Sequence, residues 1–129
     1  YLKEERDLAA ECDQGLVTQD LAAALRGSGV RIGNDGNRDL YTVDASGRIT
    51  TIFEVRTDLH LPNLCAGAVR LLLNGLSLPH QPRLVMAVPA GIDAVLEDKL
   101  AKLRVNLLPF DWKDDRAIFG ELKELLSPA

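Results

Sequence analysis

The stretch Ile49-Thr50-Thr51-Ile52-Phe53-Glu54-Val55-Arg56-Thr57 decides how the rest of this chain is read. It has the β-branched and aromatic content of a buried strand, yet it carries an acid and a base. Residues two apart on a strand share a face, so Glu54 and Arg56 are expected to point one way and Phe53 and Val55 the other. Charged side chains are rarely buried unless they are paired, so the two charges need a reason. Upstream, Asp39 opens a second apolar run, Asp39-Leu40-Tyr41-Thr42-Val43. The link between the runs, Asp44-Ala45-Ser46-Gly47-Arg48, is rich in turn formers and predicts a hairpin. An antiparallel hairpin would bring Asp39 near the Glu54 end of its partner.

Outward from this hairpin, residues 1–26 predict helix with a break near Gly15, after which Thr18 can cap a second stretch. Leu2, Leu8, Ala9, Cys12 and Leu16 form its apolar stripe. Val30 to Ile32 predicts a short strand. Gly33-Asn34-Asp35-Gly36-Asn37 reads as a plain turn, without the spacing or following helix of a phosphate-binding glycine loop. Downstream, Pro62 stands in the first turn of a helix, where its missing N–H does no harm. The apolar residues of this helix are Leu64, Cys65, Ala68, Leu71 and Leu72. Arg83 to Val88 is a continuous apolar run, as in a strand covered on both faces. An amphipathic helix from Ile92 to Leu103 should turn Ile92, Val95, Leu96, Leu100 and Leu103 inward. Val105 to Phe110 predicts a strand, and Asp114 to Leu126 a closing helix. The order is that of an α/β domain with a mixed sheet: an antiparallel hairpin, then strands added through helical crossovers.

Composition bounds the function classes. A chain of 129 residues makes one domain with its own core. No apolar run approaches the roughly 20 residues of a membrane span, and no leader pattern is seen, so the expectation is a cytoplasmic protein that does not enter a membrane. The start at Tyr1 allows it to be a module of a longer chain. Net charge is −4, which argues against a broad nucleic-acid-binding surface. The charge is uneven, though: residues 26–83 hold seven arginines, no lysine and five acids. Arginine suits bidentate contacts to phosphate. Cys12 and Cys65 read as reduced core cysteines, and His60 and His80, without zinc-ligand spacing, as loop or surface residues. Phe110 and Trp112 read as core or edge packing rather than base-stacking groups.

Asp39, then Glu54-Val55-Arg56, then a helix, then Leu84-Val85-Met86-Ala87-Val88-Pro89, resembles the PD-(D/E)XK nuclease superfamily, the restriction-endonuclease-like fold. The resemblance covers roughly residues 30–110. It implies that Asp39 and Glu54, with Val55 beside them, hold a divalent metal, Mg²⁺ or Mn²⁺. It also implies a lysine two residues after the glutamate, where this chain has Arg56, and a glutamine on the following helix, where it has Arg70. Arg38 and Arg70 become the expected nucleic-acid contacts. An N-terminal helix glutamate, Glu5 or Glu11, could join the site. The implied activity is a metal-dependent endonuclease acting on DNA, with a homodimer possible.

The residues themselves support the chemistry and complicate it. Paired carboxylates make a hard oxygen site for Mg²⁺, which can polarise a phosphoryl group and acidify bound water. Arg56 stays protonated and cannot act as a general base, but it can stabilise charge on phosphate. It can equally bind the carboxylates as an ion pair, leaving a degenerate nuclease fold that binds nucleic acid or a partner protein. A third reading is an unrelated α/β domain with an incidental Asp/Glu/Arg cluster.

Overall fold

In a computed structural model, residues 2–34 and 40–126 are described, with side chains from Asp13 onward. Ten elements follow in order: α1 (Leu2–Gly27), β1 (Arg31–Gly33), β2 (Leu40–Val43), β3 (Ile49–Val55), α2 (Leu61–Leu76), β4 (Arg83–Pro89), α3 (Ala94–Lys102), β5 (Val105–Lys113), β6 (Arg116–Ile118) and α4 (Leu122–Leu126). The strands form one sheet in sequence order, β1-β2-β3-β4-β5-β6. Neighbours β1–β2, β2–β3 and β5–β6 are antiparallel, while β3–β4 and β4–β5 are parallel. The expected α/β class, mixed sheet and flanking helices are therefore present.

The 44–48 link closes the hairpin as its composition predicts. Asp44 Oδ1 accepts the Ser46 hydroxyl at 2.7 Å and the amides of Ser46 and Arg48 at 2.9 and 3.0 Å. Gly47 sits at φ 85°, a conformation that glycine adopts without strain. The register then pairs Tyr41 with Ile52 and Leu40 with Phe53.

The two faces of the sheet are covered separately. α1 and α4 cover one face, where Val17, Leu21, Leu25, Phe53, Val55, Val85 and Phe110 share a core. The crossover helices α2 and α3 cover the other, over Ile52, Leu84, Met86 and Val88. Successive crossovers of one hand, stepping the same way along a sheet, place both helices on the same face.

Several expectations need correction. α1 runs unbroken through Gly15, because a mid-helix glycine costs only about 1 kcal/mol and burial of Val17, Leu21 and Leu25 outweighs it. Thr18 does not cap a second helix; its hydroxyl donates to the Gln14 carbonyl one turn back, at 2.7 Å. α3 starts at Ala94, with the Asp93 carboxylate accepting from Val95 N–H, and it buries Leu100 while Val95 and Leu103 stay exposed. The segment read as a closing helix from Asp114 is mostly a hairpin: Asp114 and Asp115 take φ 51° and 63°, and β6 returns along β5. Two residues at positive φ form the turn whose twist matches a hairpin, and Asp tolerates that region better than most residues. Cys65 is exposed and not in the core. Cys12 lies on α1 with its side chain outside the described set. His60 and His80 are exposed as expected.

Candidate functional site

The alternation of β3 sets the site. Phe53 and Val55 face α1, and Ile52 and Glu54 face α2. Arg56 continues the same alternation past the strand end, its amide donating to the Ala87 carbonyl at 2.9 Å. Glu54 and Arg56 thus share a face, as the sequence predicts. Their side chains meet: Arg56 Nη2 lies 3.1 Å from Glu54 Oε1. From α2, Arg70 Nε lies 3.6 Å from Glu54 Oε2.

Two local features position the α2 contribution. Asp58 accepts the His60 amide at 2.9 Å and both carboxylate oxygens receive the Asn63 side-chain amide, so the turn into α2 is held although His60, the capping residue, makes no side-chain cap. Gly67 then lets α2 settle onto the strand end. A Cβ at Gly67 would stand 2.8 Å from Arg56 Nε and 2.9 Å from Met86 Sδ. The Arg56 side chain lies in the space that the missing methyl leaves.

Burial within this triad is graded. Glu54 is 2% exposed, Arg56 22% and Arg70 41%. The carboxylate is at the bottom with Arg56 Nε buried beside it, and the arginine side chains are the more exposed members. The cluster lies at the carboxyl end of β3, where the parallel strands β3 and β4 end, the usual place for ligands in open α/β sheets.

α1 contributes a residue that sequence reasoning missed. Gln14 Nε2 donates to the Val55 carbonyl at 2.9 Å. One signal was available: Gln14 lies three, seven and eleven residues before Val17, Leu21 and Leu25, so it is a polar residue on the buried stripe of the helix.

The remaining expected site residues divide as follows. Asp39 and Arg38 lie outside the described residues, and Glu5 and Glu11 lie on α1 with their side chains outside the described set. Arg70 is brought to Glu54, and Val55 turns its side chain into the α1 core. Phe110 is buried and meets the half-exposed Trp112 edge to face at 5.8 Å, which fits packing.

The donor set can be tested against the divalent metal that the resemblance implies. Among the described residues the fit is poor. Glu54 stands between two guanidiniums, the Val55 carbonyl already accepts from Gln14, and no group of three or more His, Cys, Asp or Glu residues able to hold a metal ion occurs. Among the described residues two guanidiniums stand against the Glu54 carboxylate, and guanidinium suits an anion such as phosphate. Nor is any helix among the described residues long and apolar enough to cross a membrane. No family model, curated protein or solved structure matches this chain.

Proposed function

We propose that this chain is a restriction-endonuclease-like module that engages the phosphate backbone of nucleic acid, DNA foremost, through Arg56 and Arg70 without hydrolysing it. The carrying observation is the graded triad: a buried Glu54 ion-paired to two arginines whose side chains are partly exposed. The sheet order supports the fold reading, since an antiparallel β1-β2-β3 meander followed by two parallel crossovers is what the resemblance implies. The two departures from the family pattern, Arg56 for lysine and Arg70 for glutamine, meet at the same carboxylate. Each adds a fixed positive charge beside a residue that would otherwise hold a metal. Glu54 then serves to fix the two guanidiniums in place, because an ion pair anchored on a buried strand restricts the arginine rotamers.

The experiment is anisotropy with labelled duplex and single-stranded DNA over a salt series, for wild type, Arg56→Met and Arg70→Gln. Affinity is expected to fall with salt, and each substitution to lower the slope of log affinity against log salt by about one. Affinity indifferent to salt and to both arginines would sink the proposal. The same samples are incubated with plasmid in Mg²⁺ and Mn²⁺, beside Glu54→Ala and Arg56→Lys. Metal-dependent cleavage by wild type that disappears in Glu54→Ala would instead establish the endonuclease reading, with Asp39 and Glu54 as metal ligands. Cleavage that appears only in Arg56→Lys would mark a nuclease disabled at one position.

A further inference from the structure

The face of the sheet that carries Glu54 is covered unevenly. α2 packs over β3, β4 and β5, and the sheet runs on past the helix into β2 and β1. The burial of β2 records the difference. Leu40 and Thr42, on the α1 side, are buried, whereas Tyr41 and Val43, on the α2 side, are half-buried. Tyr41 pairs with Ile52, so its side chain emerges on the face of Ile52 and Glu54. On its other side Tyr41 pairs with Gly33 of β1. A Cβ at Gly33 would stand 2.5 Å from Tyr41 Cε2 and Cζ and 2.6 Å from Oη. A point that far from all three atoms lies off the ring plane. The ring therefore lies down across β1, in the space that the glycine leaves, and turns its second face away from the sheet. Two residues before Gly33 and on the same face, Arg31 is exposed and is the one charge in these two strands.

We propose that Tyr41 is a stacking platform for an unpaired base, and that single-stranded nucleic acid crosses the open face of β1 and β2 with one phosphate at the Arg56–Arg70 pair and another toward Arg31. The proposal rests on the phosphate-binding reading of Arg56 and Arg70 and adds the state of the strand that they take. An aromatic face beside fixed guanidiniums is the combination that a single strand requires, a cation for the phosphate and a flat surface for the base. Tyr41 and Glu54 stand on neighbouring strands, and the ring leans one strand further, so ring and ion-pair cluster lie about 5–10 Å apart. That is the reach of one nucleotide from its phosphate to its base. In a duplex both faces of a base are already stacked on neighbours, and a ring lying flat on a sheet does not reach between them. Charge points the same way. A chain of net charge −4 has no broad basic surface to follow a duplex backbone, whereas a few arginines around one ring suit a short single-stranded segment.

Anisotropy with a short labelled oligothymidylate is expected to give an affinity roughly tenfold above that for a duplex of the same length. Tyr41→Leu keeps an apolar side chain over Gly33. It should lower the single-strand affinity roughly tenfold and leave the salt slope as it is, because stacking releases no counterion. Tyr41→Phe keeps the ring and should recover most of that loss. Arg31→Gln should instead lower the slope by about one. An oligomer of abasic residues should bind wild type and Tyr41→Leu alike. On the unaltered chain, irradiation of an oligomer carrying 5-bromodeoxyuridine should attach the strand at Tyr41, mapped by mass spectrometry, so the test holds even where a substitution disturbs folding. Equal affinity for duplex and single strand overturns the proposal. So does a Tyr41→Leu chain that binds as wild type with its salt and arginine dependence intact, and so does cross-linking confined to other residues; the phosphate reading survives all three. Affinity indifferent to salt, Arg56 and Arg70 removes that reading and this one with it.

Discussion

The two faces of β3 make opposite uses of one strand. On the α1 side, Phe53 and Val55 are apolar, fully covered and part of a continuous core. On the α2 side, Ile52 belongs to a second core, but the next residue on that face is Glu54, and the one after it is Arg56. One face contributes apolar burial, and the other buries a charge and holds it in a fixed place. A buried ion pair is weak evidence for stability, because desolvation offsets most of its Coulomb attraction. The contrast teaches that the α2 face is shaped by something other than stability.

The largest expected break of this contrast is Phe53→Ala. Truncating a fully buried phenylalanine costs about 3–5 kcal/mol, read as a lowered urea midpoint. DNA affinity should be retained at denaturant-free concentrations where the chain stays folded. Loss of affinity without unfolding would mean that the two faces are not separable. Next comes Arg56→Met, which leaves the Glu54 carboxylate with one guanidinium fewer. It should cost about 2 kcal/mol, below the usual figure for a broken buried pair because Arg70 remains beside Glu54. Adding Glu54→Leu should restore at least half of that loss, and costs that simply add in the double-mutant cycle would contradict a coupled cluster.

Gly67→Ala sharpens the comparison further. In an open helix this change stabilises by about 1 kcal/mol. Here the new Cβ meets Arg56 and Met86, so a loss of about 1 kcal/mol and weaker DNA binding are expected. A gain in stability with unchanged binding would show that Arg56 moves freely.

The smallest effect lies far from the site, at the hairpin turn. The Ser46 hydroxyl, and then the Arg48 amide, hold the Asp44 carboxyl below its ordinary 3.8. A depressed folded value means that the contribution of the turn is complete above 3.8 and fades as pH falls through the folded value. An NMR titration should place the Asp44 midpoint below that of an isolated aspartate, and Ser46→Ala should move it upward.

Much of this arrangement was legible in the sequence. Alternation put Glu54 and Arg56 on one side of β3, turn chemistry closed the 44–48 link, and helical spacing on α2 gave Leu64, Ala68 and Leu71 the inward face. Elsewhere a local signal conflicts with tertiary packing or suits two structures equally. Gly15 reads as a break until the packing of Val17, Leu21 and Leu25 overrides it. Asp114-Asp115 suits the first turn of a helix, but two aspartates at positive φ also suit a tight hairpin. Cys65 fits the inner stripe of α2 by spacing, yet it is exposed, because the helix is apolar on both sides and spacing does not tell which side meets the sheet. The Gln14 contact to Val55 spans 41 residues, a distance at which no periodicity operates. Asp39, on which the metal reading turns, lies outside the described residues.

The ends of the sheet bear on how the molecule can assemble. Both outermost strands, Arg31–Gly33 and Arg116–Ile118, are only three residues long and begin with an exposed arginine. Short, charged edge strands offer a poor template for another chain to add a strand. Growth into extended β-ribbons or fibrils is thereby discouraged at both margins.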